Sequence, residues 1–171
     1  MSGREKLATG KQLKDQGNEH FKAGRIKEAL GMYNQALLYL NGLDNSSMAG
    51  VVSSGLIEPL TADDKAEIDA TILACWLNMA ACYIRQERYT KAVDFCDKVL
   101  KKDENNVKAH FRKGQALLKS NNLDPAEQSL LKAAKLAPTD LGVRETLEQV
   151  RTRIRELEQK SRDELRARLK M

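Results

Sequence analysis

Five side chains stand out for what their types and spacing could hold. Lys14 and Asn18 are four residues apart, as are Lys108 and Arg112, and Asn78 lies between the two pairs. On a helix, residues four apart stack on one face. Two ammonium groups, one planar guanidinium and two carboxamides all offer donors, and together they suit an anionic group such as a carboxylate. The plainer alternative is a polar face turned to solvent.

Other chemistries find little support. The glycines form no phosphate-binding loop, no Ser/His/Asp or Cys/His arrangement has motif context, and no carboxylates are placed for acid–base work. No catalytic residue, and hence no enzyme, is expected. His20 and His110 sit among apolar positions with no ligand cluster around them in sequence, so packing is their expected role. Cys75 and Cys82 are seven apart, nearly on one helix face, but two thiols fall short of a zinc quartet. They and Cys96 read as small buried hydrophobes. No metal and no cofactor is expected. Three cysteines without framework spacing indicate reduced thiols, in the cytoplasm or also the nucleus.

The elements that must position the five residues show themselves by self-similarity. At a shift of 34 residues, 73–106 falls on 107–140: Trp76 on His110, Ala80 on Gly114, Tyr83 on Leu117, Tyr89 on Leu123, Ala92 on Ala126, Cys96 on Leu130, Val99 on Ala133 and Glu104 on Pro138. An upstream copy, 10–43, carries Leu13, Gly17, His20, Gly24, Ile26, Ala29, Tyr33 and Ala36 in the same template. It is out of step, because residues 44–72 intervene. The period and the alternation of large and small positions resemble the tetratricopeptide repeat, a helix–turn–helix unit. The resemblance covers roughly 5–150. It implies an all-α, right-handed superhelical solenoid of three repeats, 10–43, 73–106 and 107–140, with 141–171 as a capping helix ending in a basic tail.

In such stacked hairpins the first helix of each repeat lines the concave face, which is where the five residues fall. They occur here as Lys14-Asp-Gln-Gly-Asn18, Leu77-Asn78-Met79 and Lys108-Ala-His-Phe-Arg112. This set is similar to the dicarboxylate clamp of co-chaperone repeat domains, such as those of large immunophilins and related small proteins. The resemblance implies a non-enzymatic adaptor whose partner is the Glu-Glu-Val-Asp tail of a 90-kDa or 70-kDa class cytosolic heat-shock chaperone. It also implies peptide contacts by Phe21 and Gln115, against interhelix packing and a surface polar residue as their plain readings. Met79, Phe111 and the inserted loop would shape a pocket for upstream peptide residues. The rival function is a repeat scaffold that binds an internal protein segment.

Local signals place the helices. Residues 1–9 are charged and expected to be flexible, with the first helix running from about Lys11 to Ala23, closed by Gly24, and the second from Ile26 to about Leu40. Residues 45–54 are rich in Ser, Asn and Gly, and Thr61-Ala-Asp-Asp then supplies an N-cap, so 44–72 reads as a loop plus an extension of the next helix. Further helices are expected at 62–86, 89–101, 106–119 and 124–136, the last with Pro125 at its first position. A final helix reaches about 169, with Leu141, Val143, Leu147, Val150, Ile154 and Leu157 as an apolar stripe.

Across the 171 residues, 42% hydrophobic and 31% charged content fits one helical domain with a core. A net charge of +5 permits an acidic partner without requiring nucleic acid. The uncharged run 70–84, which none exceeds in length, is shorter than the roughly 18 residues of a membrane span. Residues 1–4 have no signal-peptide core. Residues 141–171 carry nine Lys/Arg against six Asp/Glu. Such a helix is first a solvated one; the resemblance to immunophilins adds calmodulin or a client protein as partner, and weak self-association is a third reading. Nucleic-acid binding through this tail would show a steep salt dependence.

Overall fold

The first helix begins earlier than the charged N-terminus suggests. In the computed structural model the Ser2 hydroxyl accepts the Glu5 N–H at 3.2 Å, and the Glu5 carboxylate accepts the Ser2 N–H at 2.6 Å. This capping box satisfies two backbone donors at once and starts α1 at Gly3–Lys22. The expectation of a flexible 1–9 and a helix from about Lys11 is therefore corrected. Leu7 is 5% exposed, and Gly3 and Gly10 are buried, so the extra turns are held by packing as well as by the cap.

The structure describes residues 1–43, 55 and 58–170. Among them are seven α-helices and no strand: α1, α2 (Ile26–Leu40), α3 (Ala62–Arg85), α4 (Tyr89–Lys102), α5 (Val107–Lys119), α6 (Leu123–Leu136) and α7 (Leu141–Leu169). The Ser/Asn/Gly-rich stretch of the insertion, 45–54, lies outside the described residues. The chain forms two compact units, Met1–Arg88 and Tyr89–Met171.

In the first unit α1 and α2 make a hairpin, and α3 packs on both. The turn between α1 and α2 uses Gly24 at φ 77°, with the Arg25 N–H closing on the His20 carbonyl at 2.9 Å. Glycine adopts that left-handed conformation without the Cβ penalty. Thr61 caps α3 as its sequence predicts, exchanging hydrogen bonds with Asp64. That bond, and Arg4 at 3.3 Å, hold the half-buried Asp64 carboxyl below its usual range. Arg4 also reaches Glu58 at 3.2 Å, and Lys11 pairs with Glu67. Beneath these exposed pairs, Leu7, Ala29, Tyr33, Ala36, Leu40, Ile68 and Ile72 are buried. α3 is long and apolar enough to cross a membrane, yet half of its most apolar window is buried, where a core helix puts it.

In the second unit α5 packs on α4 and α6, and α7 packs on α6 and α5. Leu117, Leu123, Ala126, Leu130, Leu147 and Val150 form one core cluster. Two expectations need correction. α6 begins at Leu123, so Pro125 is its third residue; the first four N–H groups of a helix have no internal partner, which makes proline tolerable there. The apolar stripe of α7 is narrower than its sequence suggests: Val143, Leu147 and Val150 are buried, whereas Leu141 and Leu157 are exposed. A helix of 29 residues against one of 14 overshoots it, by about 20 Å at 1.5 Å per residue. Residues 155–170 are accordingly exposed throughout.

Candidate peptide-binding residues

Each unit presents part of the set. In the first, Lys14, Asn18 and Phe21 follow one face of α1, and Asn78 comes from α3. The Asn78 Nδ2 donates to Asn18 Oδ1 at 2.8 Å. The Tyr33 hydroxyl, from α2, donates to the same oxygen, also at 2.8 Å. A carboxamide oxygen has two lone pairs, and both are taken. The Asn18 NH2 is therefore turned away from both neighbours, as a donor for something else.

Lys14 lies one turn before Asn18. Its side chain is only 23% exposed, and its ammonium group stands 3.3 Å from the carboxylate of the exposed Asp15. Its charge is felt by Cys75, one turn before Asn78 on α3, but burial dominates and pushes that thiol up to about 12. A protonated, enclosed thiol is no nucleophile.

Phe21 is half-buried, with the Arg85 guanidinium 5.3 Å from its ring centroid. That is cation–π distance, so packing against α3 is one role it fills. Met79 is a correction. It is 1% exposed, a core side chain with no surface to give a peptide. Adjacent helical residues point about 100° apart, so a half-buried Asn78 leaves Met79 facing inward.

In the second unit the Asn106 side chain accepts the Ala109 N–H at 2.9 Å and starts α5. Lys108 is exposed and Arg112 half-buried, one turn apart on that helix. Arg112 lies near Cys96, whose thiol burial pushes up to about 12 despite the cation. Gln115 is half-buried. Phe111 packs partly against the core cluster, its ring 3.6 Å from where a side chain on Gly142 would begin. His110 is buried, its Nε2 donating to the Glu104 carbonyl at 2.8 Å, and His20 accepts from Arg25 at 2.9 Å. Among the described residues no three of His, Cys, Asp and Glu are grouped for a metal.

By its place in the repeat, Tyr33 reads only as a large packing residue. The residue type carries a further signal: a wholly buried tyrosine needs a partner for its hydroxyl, where a leucine needs none.

A family model described as Tetratricopeptide repeat matches residues 83–150. Among solved structures, the C-terminal TPR-containing domain of a Plasmodium falciparum protein named as an FK506-binding protein is 31% identical, with 93% of this chain and 97% of that one covered and a TM-score of 0.76. This chain belongs to the tetratricopeptide-repeat family. The peptidyl-prolyl cis-trans isomerase FKBP4 of Mus musculus is 31% identical over 147 residues, 86% of this chain. The chain spans 29% of that relative's length. The first TPR of Spaghetti (RPAP3), solved bound to the HSP90 peptide SRMEEVD, shares the fold at 18% identity and a TM-score of 0.65, covering 86% of this chain and 94% of its own. The seven helices are those of a TPR domain.

Proposed function

We propose that this TPR domain is a non-enzymatic adaptor that binds the free C-terminal tail of a heat-shock chaperone of the 90-kDa or 70-kDa class, in the cytoplasm. The observation that carries the reading is the Asn18 carboxamide, whose oxygen is saturated by Tyr33 and Asn78. Its NH2 is left as a donor one turn from the Lys14 ammonium, the pairing a carboxylate needs. Lys108 and Arg112 add a cation and a guanidinium fork on one face of α5. The tail-bound RPAP3 domain of the same fold supports a chaperone tail as the ligand. Charge-assisted hydrogen bonds contribute about 1.5–3 kcal/mol each. After the entropy of association, micromolar affinity of about −8 kcal/mol is expected.

The test is calorimetric titration of the full chain with a peptide ending Glu-Glu-Val-Asp, beside the same peptide amidated at its C-terminus. The free acid should bind and the amide should lose most affinity. Lys108→Ala and Arg112→Ala should each abolish most binding with an unchanged circular dichroism spectrum. Equal binding of acid and amide would point to an internal segment as ligand and overturn the reading, as would full affinity in both variants.

A further inference from the structure

We infer that Tyr33 is a positioning residue for carboxylate recognition, acting through Asn18. This deepens the proposed function and rests on it. Tyr33 is 1% exposed, so its hydroxyl touches no ligand directly. It donates to Asn18 Oδ1 from α2, while Asn78 donates to the same atom from α3. The two donors come from different helices, so the carboxamide is held between three elements of the unit.

The polarity of that bond matters more than its strength. A carboxamide turned the other way would present its oxygen to the ligand and repel a carboxylate. A phenol hydroxyl donates more readily than it accepts, so it favours the orientation in which Asn18 keeps its oxygen inside and its NH2 outward. The approach of the ring depends on Gly17, beside Asn18 in sequence. A Cβ there would lie 2.6 Å from Tyr33 Cε1, inside any real carbon–carbon contact. Gly17 thus gives the ring its place against α1, and the ring gives Asn18 its orientation.

Tyr33→Phe keeps the ring and removes only the hydroxyl. It should weaken binding of the free-acid Glu-Glu-Val-Asp peptide about three- to ten-fold, the range of one hydrogen bond. The amidated peptide should be affected less. In an Asn18→Ala background the same substitution should change affinity less than about two-fold, because its route of action is gone. A packing effect alone would reduce affinity equally in both backgrounds.

Binding by the wild type with loss in Lys108→Ala, but no change in Tyr33→Phe, would overturn this inference and leave the proposed function standing. A Tyr33→Phe effect undiminished without Asn18 would also overturn it. No binding of the free acid by the wild type would overturn both together.

Discussion

Gly17→Ala should destabilise the first unit although alanine is the better helix former. Replacing glycine inside a helix gains about 1 kcal/mol from backbone entropy. Against this, the new Cβ would stand 2.6 Å from Tyr33 Cε1 and 2.8 Å from Cδ1. Carbon atoms pack at about 3.5–4.0 Å, so the ring must retreat by about 1 Å. It is not the loose end of a flexible chain: it is 1% exposed, and its hydroxyl is tied to Asn18 at 2.8 Å. Overpacking costs about 2 kcal/mol, and losing the hydrogen bond about 1 kcal/mol more. The net expectation is a loss of about 2 kcal/mol. Gly31, within α2, is the internal control, since nothing lies within 4 Å of a Cβ built there. Gly31→Ala should stabilise by about 0.5–1 kcal/mol. Urea denaturation of the two variants beside the wild type reads both signs at once. A Gly17→Ala protein as stable as the wild type or more so would refute the close-approach reasoning.

Burial raises the thiols of Cys75 and Cys96 to about 12. Both stay protonated in the folded chain while unfolded thiols ionise at about 8.5. Their stabilising contribution is therefore whole below that value and is lost as pH rises towards about 12. Urea midpoints should fall across that window, less steeply in Cys75→Ala/Cys96→Ala; identical slopes in the two proteins would contradict this. At neutral pH all three buried cysteines should resist a thiol reagent until the chain is unfolded. Ser2→Ala removes the capping box of α1. It should cost about 0.5–2 kcal/mol locally, read as faster amide exchange over residues 5–8, and unchanged exchange there would show that packing alone orders the segment.

The helices were legible where their signals are local. Thr61 and Gly24 announce a start and a stop by residue type, and the 34-residue period places the later helices within two residues. The early start of α1 was legible too, in Ser2-x-x-Glu5, but the charges of Arg4, Glu5 and Lys6 argued for fraying. What decides is packing: Leu7 is buried, and a side chain on Gly3 would meet Leu60, far along the chain. The exposure of Leu141 and Leu157 was not legible for a related reason. Periodicity says which face of α7 is apolar but not how long its partner helix is.

The candidate site divides along the same line. That Lys14 and Asn18 share a face follows from spacing. That Asn18 is gripped by Asn78 and Tyr33 follows only from three helices meeting. Small and large positions 16 residues apart meet in both units: a Cβ on Gly17 would strike Tyr33, and one on Gly114 would strike Leu130 at 2.5 Å. The sequence alignment pairs these positions as equivalents of the repeat. The contact is the same, but its chemistry is not. Leu130 fills an apolar cluster and has nothing to donate. Tyr33 fills the corresponding space and carries a hydroxyl to the residue beside the glycine. In the first unit, then, the ring that closes the hairpin also ties down the Asn18 carboxamide, the side chain proposed to meet the carboxylate. A substitution there cannot be assigned to stability or to recognition without measuring both.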